Sequence, residues 1–130
     1  MLTAIDLDAG FVVFKLLPSR AAVNVIAFVR DNIIYAFGTP VTIVSDDAKE
    51  FIGAEFQAFL KEHGITHTRS FGYHPEANAK CERSHAMLNA GLRAATDAEY
   101  EQPQALLSKM AFAINNTPHR TTGVAPHELF

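Results

Sequence analysis

Asp46 and Glu82 are the side chains of this 130-residue chain whose type and spacing suggest chemistry. Asp46 follows the short β-branched run "VTIVS", at the carboxyl end of what reads as an interior strand, where α/β sheets usually place their sites. Glu82 falls in the first turn of a predicted long helix, after the Gly/Pro/Asn stretch "GYHPEAN". Between them lie the 35 residues 47 to 81. Carboxylates on two rigid elements suit Mg²⁺ or Mn²⁺, hard cations that take oxygen ligands and often only one or two carboxylates plus substrate phosphates. Each residue also has a plainer role. Ser45-Asp46-Asp47 ahead of a helix makes a cap worth ~1 kcal/mol, and a glutamate in a first helical turn complements the helix dipole for ~0.3–1 kcal/mol. The spacing alone leaves both readings standing.

The elements that must position these residues follow from periodicity. "MLTAIDL" and "GFVVFKLL" are β-rich runs around "DAG", the chemistry of a tight hairpin. A helix is predicted from a cap at Ser19 to Gly38, with Val23, Ile26, Ala27, Arg30, Ile33, Ile34 and Phe37 near helical spacing. After the "VTIVS" strand, "GAEFQAFLKEHG" predicts a helix with Phe56, Phe59 and Leu60 on one face and Gly64 as its stop. "ITHTRSF" predicts a short strand with Ile65, His67, Arg69 and Phe71 on one side. A loop over 72–78, a helix over 79–98, a helix over 102–115 and a last short turn complete the chain. The order β-β-α-β-α-β-α-α implies a mixed sheet covered by helices, an α/β domain spanning 1–130.

Composition narrows the classes. Hydrophobic residues at 48% fit a globular core rather than disorder. A single cysteine, Cys81, excludes a disulfide framework and the usual cysteine-based zinc sites, and fits a reducing, intracellular setting. No apolar run approaches the ~20 residues of a membrane span, so no membrane partner is expected, and no signal peptide is read. Net charge is −3, and residues 1–60 carry four basic against seven acidic groups. That balance argues against a stand-alone DNA binder working through overall charge.

Three blocks, "IVSDDAKEF", "GITHTRSFGYHPEANAKCER" and "NNTPHRTTGVAPHEL", resemble in order the retrovirus-like integrase core of LTR retrotransposons, particularly the Gypsy type. The family's patterns there are Ser-Asp-x-Gly-x-x-Phe and Tyr-His-Pro-x-x-Asn-Gly-x-x-Glu-Arg, and the resemblance covers nearly the whole chain. It implies a ribonuclease-H-like fold and DNA integration, with 3′-end processing and strand transfer by two-metal phosphoryl transfer using Mg²⁺ or Mn²⁺. Asp46 and Glu82 match the second and third catalytic carboxylates and would be metal ligands. The resemblance makes Tyr73, His74 and Asn78 part of a loop that touches DNA. Lys80 is the best phosphate-contact candidate by position, and Arg83 joins it on the Glu82 side of the helix with His85, Asn89 and Arg93. DNA, as element ends and target, is the implied partner, with a possible homodimer and a nuclear location.

The family uses three carboxylates, and Asp6 is not read as the first. "LTAIDLDAGFVVFKLLP" resembles the family's second and third strands, which makes Asp6 a later, non-catalytic aspartate beside a turn. The expectation is a chain that starts inside the fold, lacks the first strand and holds two of three ligands. Metal binding would then be weak and strand transfer absent. Ala48 and Ala79 stand where the family has glycine, and are expected to stiffen or misplace the active-site loop. The alternative readings are a retroelement-derived nucleic-acid- or protein-binding module without catalysis, and an unrelated α/β nuclease. His63 and His67 are four apart, but Gly64 between them should end the helix and no cysteine completes a zinc site.

Overall fold

Asp6 makes the first turn. Its N–H donates to Phe11 O at 2.8 Å, its carbonyl accepts from Gly10 N at 2.7 Å, and its Oδ2 accepts from Ala9 N at 2.7 Å. Gly10, at φ +79°, supplies the left-handed residue that closes the loop. The turn joins strand β1 (Leu2–Ile5) to strand β2 (Val12–Lys15), antiparallel with Ile5 opposite Val12 and Leu2 opposite Lys15. The computed structural model describes residues 1–69, 75–118 and 123–129. These divide into two compact units, one of residues 1–16 and 76–130 and the other of residues 17–75.

In the first unit a helix stands where a third strand would pair with β2, which among the described residues pairs only with β1. Because Asp6 and Phe11 form a hydrogen-bonded pair, alternation turns the backbone groups of Val12, Phe14 and Leu16 away from β1. Helix α7 (Pro103–Asn115) meets them with side-chain amides. Asn115 accepts from Val12 N at 2.8 Å and donates to Val12 O at 3.0 Å. Three turns earlier, Gln104 accepts from Leu16 N at 2.9 Å and donates to Phe14 O at 3.3 Å. The helix therefore runs antiparallel to β2. Beneath these bonds Val12, Phe14, Leu107, Ala111 and Ile114 pack with Leu88 of helix α5 (Pro75–Ala94).

The long helix differs from the sequence expectation at both ends. Helix α5 opens at Pro75, so 75–78 are helical rather than loop, because proline in a first turn lacks only an N–H that would be unpaired anyway. It stops at Ala94 instead of running to 98. Thr96 caps a separate short helix, α6 (Asp97–Tyr100), through a reciprocal box: Thr96 Oγ1 accepts from Glu99 N and Glu99 Oε1 from Thr96 N. Helix α8 (Pro126–Leu129) is the expected last turn.

The second unit begins with helix α1 (Ala22–Val29), a π-helical segment at Arg30–Ile34 and helix α2 (Tyr35–Phe37). Ser19 holds the start from outside, its Oγ accepting from Ala21 N at 3.3 Å and Asn24 Nδ2 at 2.8 Å. The buried stripe is Val25, Phe28 and Val29, while Val23, first of the residues noted at helical spacing, is 65% exposed. Strands β3 (Thr42–Val44) and β4 (Thr66–Thr68) pair in parallel, with Ile43 opposite His67. Helices α3 (Lys49–Ile52) and α4 (Ala54–Glu62) connect them, as a parallel pair requires. Phe56, Phe59 and Leu60 of α4 are buried as expected, and Gly64 at φ +68° turns the chain into β4.

Replacing Asn115 by leucine strands the N–H and C=O of Val12, a residue 1% exposed. At about 1–3 kcal/mol per orphaned buried group, urea unfolding of Asn115→Leu should show a loss of about 2–4 kcal/mol, against under ~1 for Gln104→Ala at the exposed end of α7.

Candidate functional site

Asp46 lies two residues beyond β3 and is exposed, held from two directions. Its Oδ1 accepts from Ala48 N at 3.0 Å, the residue that precedes α3. Its carbonyl accepts from Ser45 Oγ at 2.9 Å. The strand-end placement read from the sequence is found, but the cap is not: Ala48 is the N-cap of α3 and no side chain caps that helix, so Asp46 only closes the turn ahead of it. Ser45 is buried and its N–H donates to Thr68 O at 3.0 Å, extending the β3–β4 ladder by one bond.

Behind Ser45 stands a polar group that the sequence reading missed. His67 Nε2 lies 2.7 Å from Ser45 Oγ and Nδ1 lies 2.8 Å from Gln57 Nε2. Gln57 also donates to Phe51 O at 2.8 Å. The His67 ring meets Phe56 edge-on, with centroids 5.8 Å apart. The signal was available in the strand alternation, because His67 shares a side with Ile65 and a histidine turned toward a core needs polar partners. His63 does something different. It closes α4, with Nδ1 3.0 Å from Phe59 O, so the two histidines do not converge.

Glu82 is exposed on α5, about two turns from its start at 3.6 residues per turn. The dipole role read for it falls away, since that effect is confined to the first turn. His85, Asn89 and Arg93 share its exposed face, and the opposite face buries Ser84 and Leu88. Arg83 is half-buried. Lys80 reaches back to the hairpin, its Nζ donating to Asp8 O at 3.5 Å. Burial and the neighbouring Glu82 push the Cys81 thiol up, which keeps it from the thiolate form a nucleophile needs. Tyr73 and His74 lie outside the described residues, as does the side chain of Asn78, whose backbone is in α5.

Two exposed carboxylates are the donor chemistry that a hard divalent cation takes, and among the described residues Asp46 engages only Oδ1. Asp46 belongs to the unit of residues 17–75 and Glu82 to the other. Among the described residues no group of three or more His, Cys, Asp or Glu side chains is gathered to hold a metal ion. The alanines at glycine positions carry no strain. Ala48 sits at φ −59°, ψ 145°, and Ala79 is inside α5, both open to any L-residue.

Burial lowers the His67 pKa, and the positive charge of Arg69 lowers it further, against an opposing pull from Asp47. A histidine that resists protonation when folded contributes stability that is whole above its ordinary value of 6.5 and is lost as pH falls below it, because the unfolded chain takes the proton first. The melting temperature should decline between about pH 7.5 and 5.5, and His67→Gln should flatten that decline, as read by thermal scans across the range.

The model of the integrase core domain family matches residues 1–75. Over 129 residues the chain is 31% identical to the uncharacterized protein K02A2.6 of Caenorhabditis elegans, covering 98% of this chain and 10% of that protein. It is 30% identical over 115 residues to the Gag-Pro-Pol polyprotein of squirrel monkey retrovirus, covering 85% and 6%. The chain thus spans a tenth or less of these relatives' length. The catalytic core domain of BIV integrase superposes with a TM-score of 0.85 at 25% identity, over 98% of this chain and 82% of that one. The HTLV-2 integrase catalytic core, solved in complex with magnesium, shares the fold with a TM-score of 0.73 at 18% identity, over 95% and 79%. No helix among the described residues is long and apolar enough to cross a membrane. With its ribonuclease-H-like arrangement of short strands and helices, the chain belongs to the integrase core domain family.

Proposed function

We propose that the chain is the catalytic-core portion of a DNA integrase, with Asp46 and Glu82 as its metal-ligating carboxylates. The observation that carries this reading is the placement of Asp46. It is an exposed carboxylate just past a parallel strand, with its backbone fixed by Ser45. Substrate is DNA, and the nuclear location and self-association that the family resemblance implies belong to the same proposal. Mg²⁺ or Mn²⁺, when bound, supplies Lewis-acid stabilisation of the phosphate oxygens and lowers the pKa of an attacking water or 3′-hydroxyl. Asp46 and Glu82 would be the residues that hold the cation, each through an exposed carboxylate. Neither needs to act as a general base. Arg83, Lys80, Tyr73, His74 and Asn78 contact the DNA backbone near the cut, positioning it without reading sequence.

Nicking of supercoiled DNA by the purified chain in Mn²⁺ tests the reading. Asp46→Asn and Glu82→Gln should each lower the rate by about 10²-fold or more, the scale of the several kcal/mol such a cation contributes. A parent chain that binds DNA yet shows no metal-dependent nicking would overturn catalysis and favour a binding module.

A further inference from the structure

The polarity of the hydrogen bonds beneath Asp46 can be read from one fixed point. The carbonyl oxygen of Phe51 only accepts, so the Gln57 atom 2.8 Å away is the amide nitrogen. The same nitrogen lies 2.8 Å from His67 Nδ1, so its second hydrogen points at the ring and Nδ1 accepts. A neutral imidazole accepting at Nδ1 carries its hydrogen on Nε2, which donates to Ser45 Oγ at 2.7 Å. The serine hydroxyl then gives its own hydrogen to the Asp46 carbonyl at 2.9 Å. Three bonds run head to tail from α4, through β4, to the end of β3.

We propose that Gln57, His67 and Ser45 are positioning residues for Asp46: their one-way relay fixes its carbonyl and so sets the direction in which its carboxylate meets a divalent cation. The inference rests on the reading of Asp46 as a metal ligand. Two constraints bracket that residue. The relay holds the carbonyl on one side, and the Ala48 N–H holds Oδ1 on the other. Ser45 cannot drift, because it is buried and its N–H is bonded to Thr68 O. A ligand that leaves a fixed backbone with one oxygen already anchored gives up little freedom when a metal binds. Partners of this outer kind govern metal affinity although they never touch the ion. A purely structural role for the relay would instead lower stability and leave affinity alone.

The test combines a structural signature with metal binding, using the intact chain. Nitrogen-15 spectra of His67 should show Nε2 protonated and Nδ1 bare, and a ring protonated at Nδ1 overturns the relay. Calorimetric titration with Mn²⁺ then compares variants shown to be folded by circular dichroism. Ser45→Ala and Gln57→Leu should weaken binding about 10- to 100-fold, while Ser45→Thr, which keeps the hydroxyl, should retain most of it. Mn²⁺ binding that Asp46→Asn removes but Ser45→Ala and Gln57→Leu leave unchanged overturns the inference alone. Binding that Asp46→Asn does not affect overturns the ligand assignment and the inference together.

Discussion

The paired hydrogen bonds between Asn115 and Val12 are the interaction on which the first unit depends. A two-stranded ladder of four pairs is marginal in water, and β1–β2 has no third strand among the described residues. Its persistence requires a second layer. Helix α7 provides it by offering amide side chains as if they were a neighbouring strand, while Leu107, Ala111 and Ile114 of the same helix fill the space beneath Val12 and Phe14. Register of strand and position of helix are thereby set by the same residue. The second unit meets the same constraint with even shorter strands. There the load falls on Phe56, fully buried under β4, and on the His67 hydrogen bonds that tie α4 to both strands.

Asp46 and Glu82 are presented by different means. Glu82 stands on a continuous helix, where its direction follows from backbone geometry and from the burial of Ser84 and Leu88 on the far face. Asp46 stands where regular structure has ended, so nothing in the strand ladder orients it beyond the Ser45–Thr68 bond. Side-chain hydrogen bonding takes over at that point. Irregular backbone at a functional position is thus compensated by a polar group buried behind it, and the aromatic wall of Phe51 and Phe56 keeps that group partly from water.

The sequence carried the fold where two signals agreed. The β-rich runs on either side of Asp8-Ala9-Gly10 made the hairpin legible, and Phe56, Phe59 and Leu60 with the stop at Gly64 made α4 legible. It failed where apolar residues crowd every side of a helix. In 22–37 the run Val23, Val25, Ile26, Phe28, Val29, Ile33, Ile34 offers several equivalent faces, and the π-helical turn at Arg30–Ile34 shifts the period midway. The start of α5 was misread because Pro75 signals both a loop and a first helical turn, and the misreading put Glu82 in that first turn. Asp46 was placed from local pattern at a strand end. The partners of Ser45 were not, since Gln57 and His67 reach it through strand pairing that sequence distance conceals.

The amides of α7 also decide what the unit does not do. Unpaired N–H and C=O groups along a strand edge form a template on which another chain can add, the usual route from a folded sheet to aggregates. On β2 both groups of Val12, the carbonyl of Phe14 and the N–H of Leu16 are already spent on Asn115 and Gln104. A strand from a neighbouring molecule would have to break those bonds and lift a helix off its core before gaining the first of its own. The fold thus guards its outer edge by occupying it, with a helix taking the place that a further strand would seek.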